Sequence, residues 1–325
     1  MIKVYTPSLD CVAVITEKIS VEWIRRFYDY GSFVINLSIN CPHLNYLKQN
    51  NYILHNGNIG IILYREQNKD KVEVRGYDLK GITSFRTCQG EKTGSVESVI
   101  KSYATEELTA ENKAIPLLEV ATNQNRGNTI TKTVDIAKLD VTLNEICTEN
   151  DIGYDIKKVD KKLIFDVVTP VDRSGSVIFS RRFKNISDFS YIDDNYDTVN
   201  TIYNLAENDD VKTISEHYTE VHTGLDRREG VTYYNEDALE KVAQDFVKQK
   251  ESVSTEVNHR HKYNVDWFLG DYVQVVISAF GETLSVKKQI TEVQEIYERG
   301  IAKIKPTFGE KKDGVIKRIL KGVKA

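Results

Sequence analysis

Cysteine is scarce in this chain. Cys11, Cys41, Cys88 and Cys147 are spread over 325 residues with no C-x-x-C pair. That excludes a disulfide framework and suits a reducing compartment. Long apolar runs are missing as well. The longest are Cys11–Ile15 and Ile59–Tyr64, against the ~20 residues that a membrane span needs. The opening Met1-Ile2-Lys3-Val4-Tyr5 lacks a signal peptide's apolar stretch,. No membrane span is expected, and assembly in the cytoplasm is.

Signatures of chemistry are equally sparse. Gly90-Glu91-Lys92-Thr93-Gly94-Ser95 lacks the four-residue spacing between glycines, and the following Lys, that a phosphate loop requires,. His259 and His261 are two apart and would share a strand face, but no third ligand is in view, so exposed strand residues are the plainer reading. His217 and His222 do not form H-E-x-x-H. Asp193, Asn195 and Asp197 offer the first three oxygens of a calcium loop. Thr198 then stands where Gly is required and Asn204 where Glu should be, which favours a solvated turn,. No G-x-S-x-G elbow exists. With 48 acids, carboxylate pairs are inevitable and none can be singled out,. No catalytic residue, metal or cofactor is assigned.

What is present is a globular balance, 40% hydrophobic and 28% charged, with length enough for two or three domains,. Tyrosine leads the aromatics, 18 against 11 Phe and 2 Trp, which suits strand faces and subunit contacts. The net charge of −4 is uneven: from Lys303 to Lys324 stand eight basic and two acidic residues. An acidic body with a basic tail is not the footprint of a nucleic-acid binder. It reads as a body with a docking segment. In that tail Ile316, Ile319 and Leu320 fall on one side at helical spacing, and Lys317, Arg318 and Lys321 cover the rest. A short basic amphipathic helix of this kind docks on a partner or lies on a membrane surface; a frayed terminus is the alternative.

Periodicity gives the organisation. Phe33, Ile35, Leu37 and Ile39 alternate as in a half-buried strand. Asn56-Gly57 between apolar stretches marks a hairpin, and Ile59, Ile61 and Leu63 share the next strand's face. Residues 90–160 read as an α+β insertion. One helix there is capped by Ser95 and another begins at a Thr142/Glu145 capping box, closing before Gly153. A strand pair is expected around 207–210 and a helix over 235–252 capped by Asn235. Val265, Trp267 and Leu269 alternate as a strand, followed by a meander to Pro306. The expected division is a first β region at 1–89 completed by about 161–205, the insertion at 90–160, a second β region at 206–305, and the basic tail at 306–325.

Six segments in order resemble the siphovirus ReqiPepy-type tail protein family. Trp23-Ile24-Arg25-Arg26-Phe27-Tyr28-Asp29-Tyr30-Gly31-Ser32-Phe33 is similar to its opening. Val74-Arg75-Gly76-Tyr77-Asp78-Leu79 with Arg86 resembles its V-x-G-x-D-L segment. Phe179-Ser180 with Asn185 and Asn200, then Gly224-Leu225-Asp226-Arg227-Arg228-Glu229, resemble its middle. Leu269-Gly270-Asp271-Tyr272-Val273 and Pro306-Thr307-Phe308-Gly309 resemble its close. The resemblance implies a mainly β fold with α+β insertions, built on two tail-tube-like β-barrel domains. It implies a non-enzymatic baseplate hub of a phage or tail-like bacteriocin, a homotrimer with pseudo-six-fold symmetry. Its partners would be the tail tube or distal tail protein, the spike or tip protein and the tape measure protein. Phage DNA would only pass through the lumen. The competing expectations are a tail-associated peptidase or muramidase and a carbohydrate-binding tail module. Within this picture Arg227-Arg228-Glu229 either pairs charges between subunits or forms a solvated turn.

Overall fold

The computed structural model describes residues 1–208, 211–218, 220–234, 242, 246–258, 261–298 and 300–309. The chain begins with β1 (Ile2–Tyr5), β2 (Cys11–Ile15), β3 (Ser20–Arg26), β4 (Ser32–Ser38), β5 (Tyr52–His55), β6 (Asn58–Gln67) and β7 (Lys71–Asp78). After a 3-10 segment (Leu79–Phe85) come β8 (Thr87–Ser95), α1 (Val96–Leu108), β9 (Leu118–Val120), β10 (Thr129–Lys138), α2 (Leu139–Glu149), β11 (Gly153–Val159) and β12 (Lys162–Val168). Then follow β13 (Ile178–Ser180), β14 (Ile186–Asp194), β15 (Thr201–Asn208), β16 (Val211–Tyr218), β17 (Glu229–Thr232), β18 (Lys250–Val257), β19 (Tyr272–Ala279), β20 (Glu282–Glu298) and β21 (Ile301–Gly309). The fold is mainly β. Two compact units divide it: Met1–Phe189 with Ser254–Phe308, and Ser190–Val253 with Gly309–Ala325.

The main sheet runs β14-β18-β21-β20-β3-β4-β7-β6-β5-β1-β2, with β19 on β20 and β13 on β19. It is an open path, and no pairing among the described residues closes it into a barrel. The long β20 serves two neighbourhoods. Its residues Glu282–Gln289 pair with β19, and Glu292–Glu298 lie between β3 and β21. The front strands are therefore continued by β20 from the C-terminal region. From the span 161–205, β13 pairs with β19 and β14 lies beside β18.

Alternation places Phe33, Ile35 and Leu37 of β4 in one core with Trp23, Val74 and Ile62. Ile59 and Ile61 of β6 face the opposite side, into a second core with the buried stripes of α1 and α2. The sheet is thus covered on both faces where the helical layer lies against it. The hairpin turn at Asn56-Gly57 has both residues at positive φ and pairs His55 with Asn58,.

Local signals set several boundaries. The Ser95 hydroxyl accepts the Ser98 N–H at 3.2 Å and caps α1,. The second helix starts earlier than its capping box: α2 opens at Leu139, whose N–H bonds to Arg86 O. Thr142 is buried inside it and meets Cys88 Sγ at 3.3 Å. Asp151 takes the positive φ after that helix, and Gly153 opens β11 instead. Val265–Leu269 is not a strand. It wraps Trp267, which is fully buried and donates its indole N–H to His261 O at 3.0 Å, while Val265 stays exposed. Most of the helix expected over 235–252 lies outside the described residues. Its end is extended: Val247 bridges Val199 and Lys250 opens β18. Backbone pairing there overrides helical spacing. His259 and the tail residues Ile316, Lys317, Arg318, Ile319, Leu320 and Lys321 also lie outside the described residues.

In the second unit β15 pairs antiparallel with β16 and parallel with β17. Thr201 faces Tyr218 at one end of the β15–β16 pair, and Asn208 faces Val211 at the other.

Candidate functional site

The first unit's concave feature is a cleft of about 610 Å³, where the front core gives way to charged side chains. Alternation explains the change. On β3 the inward series runs Val21, Trp23, then Arg25; on β7 it runs Val72, Val74, Gly76, then Asp78. Arg25 Nη2 donates to Asp155 Oδ2 on β11 at 2.8 Å. Burial pushes the Asp155 carboxyl up, but Arg25 beside it, with Lys157 and Lys80, overcomes that and holds it below the usual range,. Lys80 is buried, donates to the carbonyls of Arg26 and Phe27 at 2.9 and 2.8 Å, and sits 4.5 Å from the Tyr154 ring centre. Burial raises Asp78 to about 6 against the pull of Lys80 and Arg25; its Oδ1 finds no partner among the described residues.

The polar layer continues beside the cleft. Asn58 Nδ2 donates to Glu295 Oε1 at 2.6 Å, and the Tyr297 hydroxyl donates to Glu295 Oε2 at 2.5 Å. His55 is fully buried against the Tyr297 ring, with Lys18 on its Nε2. Burial, then Lys18 and the N-terminal amine, lower it to about 4, so it is neutral. On the far wall Asp271 accepts from Phe268 N–H at 2.9 Å, Val171 N–H at 3.3 Å and Arg173 Nε at 2.5 Å. No His, Ser or Cys is among the described residues lining the cleft. Asp155 and Asp271 bind cations and amides, the arrangement of a structural ion network.

The family-like segments prove to be packing groups. Trp23 and Phe33 stack with centroids 4.8 Å apart, and a Cβ on Gly60 or Gly76 would lie 2.8 Å from the Phe33 ring. Gly270 has φ +98, and a Cβ there would lie 2.2 Å from the Phe27 ring, so both the turn and the close approach require glycine,. Asn185 is fully buried, accepts Ser180 N–H at 2.8 Å and donates to Ile178 O at 2.6 Å. Phe308 packs on Phe179 at 5.2 Å. Arg227 is satisfied within its own chain, donating to Glu216 at 2.7 Å, Glu229 at 2.5 Å and the Tyr203 hydroxyl at 2.7 Å. Near Asp193, the Asp194 carboxylate accepts Tyr196 N–H at 3.0 Å as a turn. No group of metal-ligating side chains occurs among the described residues.

The family described as Siphovirus ReqiPepy6 Gp37-like protein matches residues 1–310. The chain belongs to this family. No curated protein matches it. Among solved structures, the tail protein from Neisseria meningitidis MC58 is similar at 16% identity and TM-score 0.58, covering 95% of this chain and 96% of that one. A 43 kDa tail protein of prophage MuSo2 from Shewanella oneidensis is similar at 9% identity and TM-score 0.59, covering 94% and 97%. The prophage tail protein gp18 from Listeria monocytogenes EGD-e is similar at 12% identity and TM-score 0.54, covering 99% and 98%. The Gp37-like chain thus shares a fold with prophage tail proteins along nearly all of its length. The residues that sequence reasoning missed are Asp155, Lys80, His55 and Glu295. They lie far apart in the chain and in no local pattern, whereas Arg25, Asp78 and Asp271 fall within the family-like segments and were signalled.

Proposed function

We propose that the chain is a structural, non-enzymatic component of the baseplate hub of a phage tail or tail-like particle, joining the tail tube to the tip as a trimer. One observation carries this reading. Residues of the segments that resemble the family, among them Trp23, Phe27, Phe33, Gly76, Asn185, Gly270 and Phe308, pack against one another or tie down backbone. The fold shared with three tail proteins supports it. So do an interior around Trp23 and Phe33 and an aromatic cluster of Phe179, Trp267 and Phe308 farther along the main sheet. We read these as two tube-like barrel modules fused along β20. Three chains with two such modules each would offer six similar units to a six-fold tube and three-fold symmetry to a spike.

The partners that follow are the tail tube or distal tail protein, the tape measure protein and the spike or tip protein. DNA would pass through the lumen without a binding site, since continuous positive charge would make it stick. Native mass spectrometry of the full chain, alone and with tail proteins, tests the assembly. A trimer, or a complex holding three copies, is expected. A stable monomer that releases soluble fragments from cell-wall sacculi would replace this reading with the enzymatic one.

A further inference from the structure

The three-stranded sheet of the second unit has unlike faces. On β15, Ile202, Asn204 and Ala206 turn to the buried side. The other side carries Tyr203 and Leu205, whose direct neighbours are Glu216 and Ile214 on β16 and, beside Tyr203, Val231 on β17. Ile214 is 69% exposed and Val231 60%, and Tyr218 and Tyr233 extend the patch. In its middle the Arg227 guanidinium meets two carboxylates, Glu216 and Glu229. Apolar side chains around a net negative centre are what a basic, one-sidedly apolar segment covers.

Such a segment exists in the same chain. Residues 190–253 hold fifteen acids and six bases, whereas residues 310–325 hold six bases and two acids. The tail leaves the described structure at Gly309, which belongs to the same unit as this sheet. Attachment there raises its effective concentration at the face. We propose that the outer face of β16-β15-β17 is the docking surface for the chain's own tail, with Ile316, Ile319 and Leu320 on Leu205, Ile214 and Val231. Lys317, Arg318 and Lys321 then lie near Glu216 and Glu229. This is independent of the hub reading.

Amide hydrogen exchange on the full chain at low salt tests it. Tail amides 315–321 are expected to exchange at least about tenfold slower than an open chain, independently of protein concentration. The protection should vanish in Ile319→Asp and in Val231→Asp, and fall in 1 M salt, where the Debye length is about 3 Å. Because a strand substitution can unfold the sheet, the double variant Glu216→Lys/Glu229→Lys, at two exposed positions, supplies a second reading of the same loss. Phe280→Asp, at an exposed turn of the first unit, should leave the protection intact. Open-chain exchange of the wild-type tail overturns the proposal. So does protection that rises with protein concentration, that appears only with anionic vesicles, or that survives the face variants.

Discussion

The two units solve different problems with similar strands. The first buries ionisable groups: Asp78, Lys80, Glu295 and a neutral His55 are buried, and the Arg25–Asp155 pair is half-buried beside them. Among its described residues the second buries no charged side chain. Its acids outnumber its bases by fifteen to six over residues 190–253, and Ile214, Val221, Leu225, Val231 and Tyr233 are each at least 60% exposed. A buried network fixes one arrangement, because an unpaired partner there is costly. A charged surface with apolar patches is stable alone but gains by association. The first unit therefore holds the buried polar network, and the second exposes the apolar patches.

The largest expected contrast comes from breaking a buried network in the first unit. Glu97 is fully buried at the start of α1 and is held by Arg126, with bonds of 3.0 and 2.8 Å from Nε and Nη2, and by Lys101 at 2.6 Å. Arg126 and then Lys101 hold its carboxyl well below the usual range despite burial. Glu97→Ala leaves Arg126 and Lys101 sharing Asp166 as their remaining carboxylate partner, and urea unfolding should show a loss of about 3 kcal/mol.

A smaller effect should appear in pH. Asp78 is raised from 3.8 to about 6, so the fold binds its proton more tightly than the unfolded chain, and stability falls as pH rises from about 4 to about 6,. His55 is lowered from 6.5 to about 4, so its contribution is lost as pH falls through the same range,. The two slopes oppose each other. Asp78→Asn should unmask a loss of stability on acidification, and His55→Gln a gain. Each amounts to about 2–3 kcal/mol and is readable from denaturant midpoints between pH 4 and 7. Equal slopes in both variants would refute the assignment.

The smallest effect on stability should come from the second unit. Ile214→Ser removes an exposed side chain, and its unfolding free energy should change by no more than about 0.5 kcal/mol. If it shifts as far as the Glu97 variant does, the second unit is not a surface module.

How much was legible follows the range of the forces. The Ser95 cap and the Asn56-Gly57 turn were readable because a few adjacent residues supply the whole hydrogen-bond or φ requirement. The start of α2 was not readable, since it is set by Leu139 N–H reaching Arg86 O, fifty-three positions back. Trp267 looked like one member of an alternating strand. Its burial instead comes from Phe179 at 5.7 Å and Tyr263 at 4.7 Å, which bend the chain around the indole.

By itself the sequence determined a strand-dominated chain, its tight turns, its charge asymmetry and the segments that mark its family, because each is a property of neighbours in the chain. Tertiary structure decided that β20 continues the front strands, that Gly270 is required by Phe27 as well as by its own turn, and that scattered acids and bases meet in one buried layer. Those outcomes depend on which strand lies beside which, and strand pairing carries no local code beyond the alternation of faces.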